Sequence, residues 1–89
     1  MDSKSCEKAT SAIADKYRLS ILLELAKRES MTPSEIQELT GLSQPCVSHH
    51  VKLLTESELV TSAKEGRNVY LRLNKDTTRQ LSDFLSKLT

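Results

Sequence analysis

The chain has 89 residues, enough for one small domain or one subunit of a larger assembly, and too few for a deep substrate pocket. Its 37% hydrophobic and 28% charged content is too apolar for a disordered chain and too polar for a membrane protein, and no apolar run exceeds three residues, as in Ile21-Leu22-Leu23. The net charge of +1 decides nothing about nucleic acid, although residues 42–75 hold five Lys/Arg against three Asp/Glu.

Residues 3–10 are polar and charged, so no signal-peptide pattern opens the chain. No repeat, low-complexity tract or Pro/Gly-rich linker divides it, and residues 1–89 read as a single domain. With only Tyr17, Tyr70 and Phe84 as aromatics, the core is small, and sharing it with a second copy would help. Two cysteines, Cys6 and Cys46, make no disulfide framework and fit a reducing cytoplasm.

A first helix is predicted over residues 5–14, capped by Ser3 or Ser5, with Ala9, Ala12 and Ile13 on one side. After a break near Asp15, a second is predicted over 17–28. There Leu19, Leu22, Leu23 and Ala26 recur at helical spacing, and Ile21 and Leu25 widen the stripe, so packing on two sides is expected. Lys27 and Arg28 suit the C-terminal end of its dipole.

Thr32-Pro33-Ser34-Glu35 is a capping box with proline at the first helical position. The short helix it opens should turn Ile36 and Leu39 inward and stop at Gly41. Ser43 caps the next helix, predicted to reach residue 57. Val47, Val51 and Leu54 face the core, and Pro45, His49, Lys52 and Glu56 face away. Cys46 and Ser48 lie on the flanks, and His50 lies nearer the buried edge.

From Val60 the period becomes two. Val60 and Ser62, then Val69, Leu71 and Leu73, alternate with other residues around a Lys64-Glu65-Gly66-Arg67-Asn68 turn. This is a hairpin with a basic tip. Asn74 caps a last helix, predicted to residue 88, with Leu81, Phe84, Leu85 and Leu88 in one stripe.

Two short helices joined at a Gly turn and followed by a hairpin make a winged helix-turn-helix, with the helix-turn-helix at about 33–57 and the wing at about 60–73. The major groove admits one helix, and base edges are read from its first turns. Ser43, Gln44, Ser48 and His49 carry suitable hydrogen-bonding groups. Ser43 and the free N–H groups behind it also suit a phosphate, as does Lys52. Lys64 and Arg67 at the wing tip suit the flanking backbone or minor groove.

The stretch Ala14-Asp15-Lys16-Tyr17-Arg18-Leu19-Ser20-Ile21-Leu22 resembles the start of ArsR/SmtB-type regulators. Residues 42–54, reading Leu-Ser-Gln-Pro-Cys-Val-Ser-His-His-Val-Lys-Leu-Leu, resemble their recognition helix. Glu58-Leu59-Val60 and residues 64–70 resemble their helix-to-wing junction and wing. Over residues 9–88, the resemblance implies a mostly α fold with a small β wing, in the order α-α-(short β)-α-α-β-β-α. It implies a cytoplasmic, homodimeric repressor that binds operator DNA and is released by an inducer. It further implies that the first and last helices form the dimer interface, which would use Ala9 and Ile13 with Leu81, Phe84, Leu85 and Leu88.

Metal-sensing members of that family carry cysteines where this chain has Thr32 and Ser34, and hydroxyls are poor ligands for soft metals. The last helix holds Asp76 and Asp83 without histidine, a weak zinc set. His49 and His50 point about 100° apart and do not easily share an ion. No metal or cofactor is therefore expected. Cys46, at the third position of the recognition helix, is either a small packing residue or a redox-sensitive thiol, and Cys6 lies near an expected mobile terminus. Tyr70 reads as a core or wing-packing residue. Glu58 stands where the family often has glycine, so a different helix cap is expected. Two alternatives to DNA binding stand beside it. One is a protein-interaction module using the same helix. The other is an enzyme, for which no nucleophile–base set, phosphate loop or carboxylate pair is present.

Overall fold

A computed structural model describes residues 1–89. Five helices and one hairpin follow in the order α1 (Ser3–Ile13), α2 (Lys16–Lys27), α3 (Pro33–Thr40), α4 (Gln44–Glu56), β1 (Val60–Glu65), β2 (Asn68–Leu73) and α5 (Lys75–Leu85), with a closing 3-10 turn, Ser86–Leu88. The winged helix-turn-helix expected from the chain is the fold observed.

Asp2, not Ser3 or Ser5, caps α1. Its Oδ1 accepts from the Ser5 amide at 2.8 Å, and this bond holds the Asp2 carboxyl below its ordinary range. A carboxylate answers the positive helix end better than a hydroxyl, and the helix starts two residues earlier than predicted. Cys6, Ala9 and Ala12 point into the core. Cys6 is therefore a buried core residue and not part of a mobile end.

The α2 stripe is rotated from the expected one. Ile21 and Leu25 are buried, whereas Leu19 and Leu23 are 42% and 58% exposed. Apolar residues cover more than half of the helix circumference, so periodicity alone does not choose a face. Arg18 chooses it. Its guanidinium Nε donates to the Ala12 carbonyl at 2.7 Å, and residues 18, 21 and 25 share a side.

The capping box forms as expected. Thr32 Oγ1 accepts from the Glu35 amide at 3.2 Å, and Glu35 Oε1 accepts from the Thr32 amide at 2.9 Å. Ile36 is fully buried, but Leu39, about 60° round the helix, is exposed and does not turn inward. Gly41, at φ 71, takes the left-handed conformation that ends α3. Within α4, Val47 and Leu54 are buried and Val51 is half-buried against them.

After α4 the left-handed position falls on Glu58 itself, at φ 65. Buried Ser57 secures it, because its Oγ donates to the Leu54 carbonyl at 2.7 Å and accepts from the Leu59 amide at 3.3 Å. A Cβ is unfavourable in that conformation by about 1 kcal/mol. Glu58→Gly is therefore expected to raise the thermal midpoint by about 4–8 °C in calorimetry. An unchanged or lower midpoint would show that the turn carries no strain.

The strands pair antiparallel from Val60 opposite Leu73 to Glu65 opposite Asn68. Gly66, at φ 65, opens the two-residue loop, and Arg67 keeps negative φ, as in a type II′ turn. The expected short strand before α3 is one residue pair: Met31 and Leu71 exchange both backbone hydrogen bonds, at 2.9 and 2.8 Å. Both side chains are buried with Ile21, Ile36, Leu54 and Leu59.

Asn74 Oδ1 accepts from the Thr77 amide and starts α5. Leu81 packs into the core, Phe84 is half-buried, and Leu85 and Leu88 project outward. The α-helix ends at Leu85, three residues short of the prediction, and tightens into the 3-10 turn. Ala9, at 0% exposure, and Leu81 are enclosed by their own chain, so neither offers surface to a second copy as expected. Both fit inside because α1 and α5 pack on each other within the subunit.

Candidate nucleic-acid interface

The turn at Gly41 sets α4 across α3 with its first residues outward. Ser43, Gln44, Cys46, Ser48, His49 and Lys52 are all exposed, as are Pro45 and Glu56. Ser43 occupies the cap position, but its hydroxyl makes no capping bond. Pro45 has no N–H, and the Gln44 and Cys46 amides find no backbone or side-chain acceptor in the chain. The helix thus presents unused donors and a hydroxyl at its positive end.

Lys64 and Arg67 are exposed at the wing tip and have no ion-pair partner. Arg72, further down β2, is engaged: it lies 3.5 Å from Glu65 and 5.7 Å above the Tyr70 ring. Tyr70 is half-buried on the wing. Because β1 packs on α4, hairpin and helix are held together.

Behind α4 lies a polar clamp that periodicity does not reveal. Asp15 Oδ2 accepts from the Tyr17 and Arg18 amides at 3.0 Å each, which caps α2. Arg18 Nε ties back to Ala12 of α1, and its Nη1 lies 3.2 Å from His50 Nδ1 of α4. His50 Nδ1 is 3.8 Å from Asp15 Oδ2, and the Tyr17 ring sits 5.8 Å from the imidazole. Arg18 is a donor only, so His50 accepts from it when the imidazole proton sits on Nε2. The available signals were an Asp three residues before an Arg at a helix start, and a histidine on the core edge of α4.

The Arg18 amide, and then the Arg18 charge, hold the Asp15 carboxyl below its usual range despite the opposing effect of burial. A depressed carboxylate contributes stability that is complete above about pH 4 and disappears as pH falls through the folded pKa. Asp15→Asn should therefore be less stable than the parent at pH 7, with the gap closing below pH 4 in thermal melts. A gap independent of pH would show that the carboxylate charge is not what matters.

Cys46 is exposed on α4, while Cys6 is buried on α1. Thr32 is engaged in the capping box, and Ser34 is exposed beside it. Nowhere do three His, Cys, Asp or Glu side chains converge as metal ligands. Asp76 pairs with Arg79 at 3.3 Å. No helix is long and apolar enough to cross a membrane.

A family profile described as a helix-turn-helix domain matches residues 13–63, more than half of the chain. The transcriptional repressor SdpR of Bacillus subtilis is 32% identical over 80 residues, covering 85% of this chain and 88% of that protein. The arsenical resistance operon repressor of Bacillus subtilis is 31% identical over 75 residues, covering 84% of this chain and 71% of that one. Among solved structures, the homodimeric winged helix-turn-helix DNA-binding domain of Mb0332 from Mycobacterium bovis, described as a possible ArsR-family regulator, superposes with a TM-score of 0.78. It is 24% identical, and the match covers 96% of this chain and 79% of that one. A recognition helix braced from behind by Asp15, Arg18 and His50, a hairpin wing beside it, and kinship with named repressors over most of both lengths place the chain in the ArsR/SmtB family of winged helix-turn-helix transcriptional regulators.

Proposed function

We propose that the chain is a sequence-specific DNA-binding repressor that works as a homodimer, with residues 1–89 acting as one DNA-binding domain. The observation that carries this is the outer face of α4, polar and free of large aromatics, next to two unpaired cations on the wing. Gln44, Ser48 and His49 enter the major groove, Gln44 can bond an adenine edge bidentately, and Ser43 at the helix cap meets a phosphate. Lys52 meets a phosphate along the helix, and Lys64 and Arg67 meet the flanking backbone or minor groove. Interface anchors for a protein partner are typically Trp, Tyr or Arg, and α4 carries none of these.

Release from DNA fits a thiol event or a small ligand better than the family's metal chemistry, because Thr32 already serves the helix cap. Of the two thiols, only Cys46 is accessible, and it stands among the DNA-facing residues. A charge or bulky adduct there would collide with the groove.

The test is fluorescence anisotropy with the DNA upstream of the protein's own gene, over a salt series, with the thiols reduced and then oxidised. Tight binding that weakens steeply with salt and greatly exceeds binding to random DNA is expected. Loss on oxidation, restored by reductant and absent in Cys46→Ser, would assign the switch to Cys46. Indifference to redox state would direct the search for an inducer to small ligands. Equal, weak binding to every DNA would overturn the repressor reading in favour of a protein-interaction module.

A further inference from the structure

His50 is the one titratable side chain of α4 that is not exposed, with 13% of its side chain accessible. Its Nδ1 meets two groups of opposite charge from α2, the Arg18 Nη1 at 3.2 Å and the Asp15 Oδ2 at 3.8 Å. A guanidinium only donates, so Nδ1 at that distance carries a lone pair, and the ring is neutral with its proton on Nε2. Asp15 Oδ2 lies beyond hydrogen-bond reach and already accepts from the Tyr17 and Arg18 amides. Other charges stand near. His49 of α4 has its ring 5.9 Å away, and the Lys16 ammonium lies 5.0 Å from the Tyr17 ring, which sits beside His50. Lys8 of α1 and Glu56 of α4 line a cleft with Arg18. No ion pair or hydrogen bond reaches His50 from α3 or the wing.

We propose that His50 is a positioning residue for DNA recognition, tying α4 to α2 through Arg18 only while its imidazole is neutral, so that preference for the operator weakens in acid. The inference rests on the repressor reading above and adds a regulation to it. Histidine is the side chain that ordinarily changes charge between about pH 5 and 8. A proton on Nδ1 sets an N–H against the guanidinium, donor to donor and cation to cation. The imidazolium turns that N–H towards Asp15 Oδ2, and Arg18 loses its acceptor on α4 while keeping the Ala12 carbonyl on α1. Asp15 remains a carboxylate over this range, because the Arg18 amide and charge hold its carboxyl low. One tie between α2 and α4 is thus exchanged for another of different length and direction, and α4 shifts with Gln44 and His49 on it. Hydrogen bonds to base edges tolerate little misplacement, whereas attraction to phosphates depends mainly on charge. Acid therefore erodes the preference for the operator even as the added charge favours DNA of any sequence.

The test is the ratio of Kd for random DNA to Kd for the DNA upstream of the protein's own gene. It is measured by fluorescence anisotropy at about pH 7.5 and 5.5 and constant ionic strength, with circular dichroism confirming the fold at both. The parent ratio should fall about tenfold in acid, the effect of losing one hydrogen bond to a charged group. His50→Asn keeps an acceptor near the place of Nδ1 and does not titrate, so it should hold the parent's neutral ratio at both pH values. His50→Leu keeps the bulk without an acceptor, and its ratio should be low at both. A parent ratio indifferent to pH would overturn the proposal. So would a His50→Asn ratio that falls as the parent's does, which would move the titration to another group such as His49. A His50→Leu variant that prefers the operator as strongly as the parent at neutral pH would show that the Arg18 contact does not position α4. Nitrogen-15 shifts of the His50 ring in the free protein test the tie without DNA. Nδ1 should be unprotonated at neutral pH and protonated in acid, and a protonated Nδ1 at neutral pH would overturn the proposal. A parent with no preference over random DNA at neutral pH would instead remove the repressor reading on which the proposal rests, whatever the nitrogen shifts show.

Discussion

Replacing Arg18 by alanine is expected to lower the thermal midpoint by about 10 °C. The guanidinium reaches the Ala12 carbonyl at 2.7 Å and His50 Nδ1 at 3.2 Å, and it sits beside the Asp15 carboxylate. Hydrogen bonds from a charged donor contribute about 1.5–3 kcal/mol each, and partial exposure here favours the low end. Truncation also leaves a carbonyl and an imidazole nitrogen without their partner at a helix junction. For a domain of this size, 1 kcal/mol moves the midpoint by about 4–8 °C. Arg18→Lys should recover less than half of the loss, since an ammonium has no fork to span two acceptors on different helices. A variant melting within about 2 °C of the parent would show that α1, α2 and α4 are held by apolar packing alone.

Gln44→Ala and Arg67→Ala are expected to weaken operator binding in different ways. Gln44 is exposed in the first turn of α4, so its truncation should leave the fold intact. Losing a bidentate base contact costs about 1–3 kcal/mol, roughly 5–150-fold on the cognate site, with little change on random DNA. Arg67 at the wing tip has no partner within the chain. Its loss should weaken cognate and random DNA by the same factor and reduce the salt slope by about one. Anisotropy titrations on both DNAs at several salt concentrations separate the two patterns. An equal loss on both DNAs for Gln44→Ala would remove Gln44 from the reading surface.

What could be read from the chain follows the range of the interactions involved. The α3 cap is made by Thr32 and Glu35, three residues apart, and the turns at Gly41 and Gly66 answer to one residue each, so a local pattern suffices. The outer face of α4 is legible because its apolar residues fall on one side only. The α2 face is not, since its apolar residues spread over more than half of the helix and Arg18 bonds six residues back and thirty-two forward. The enclosure of Ala9 and Leu81 depends on α1 meeting α5 across nearly the whole chain, and no periodicity reports that. At Glu58 the missing glycine suggested a different cap, whereas the chain accepts the strain and secures it through buried Ser57.

The paired Met31 and Leu71 divide the hairpin into an anchored root and a free tip. The root is knitted into the segment that launches α3, so it cannot shift without disturbing the helix-turn-helix. The tip touches nothing that fixes its length. Two residues added to each strand would preserve the inward and outward faces and carry Lys64 and Arg67 about 7 Å farther out. Reach along a DNA duplex can thus be adjusted as a tool handle is lengthened, by altering one end and leaving the grip untouched.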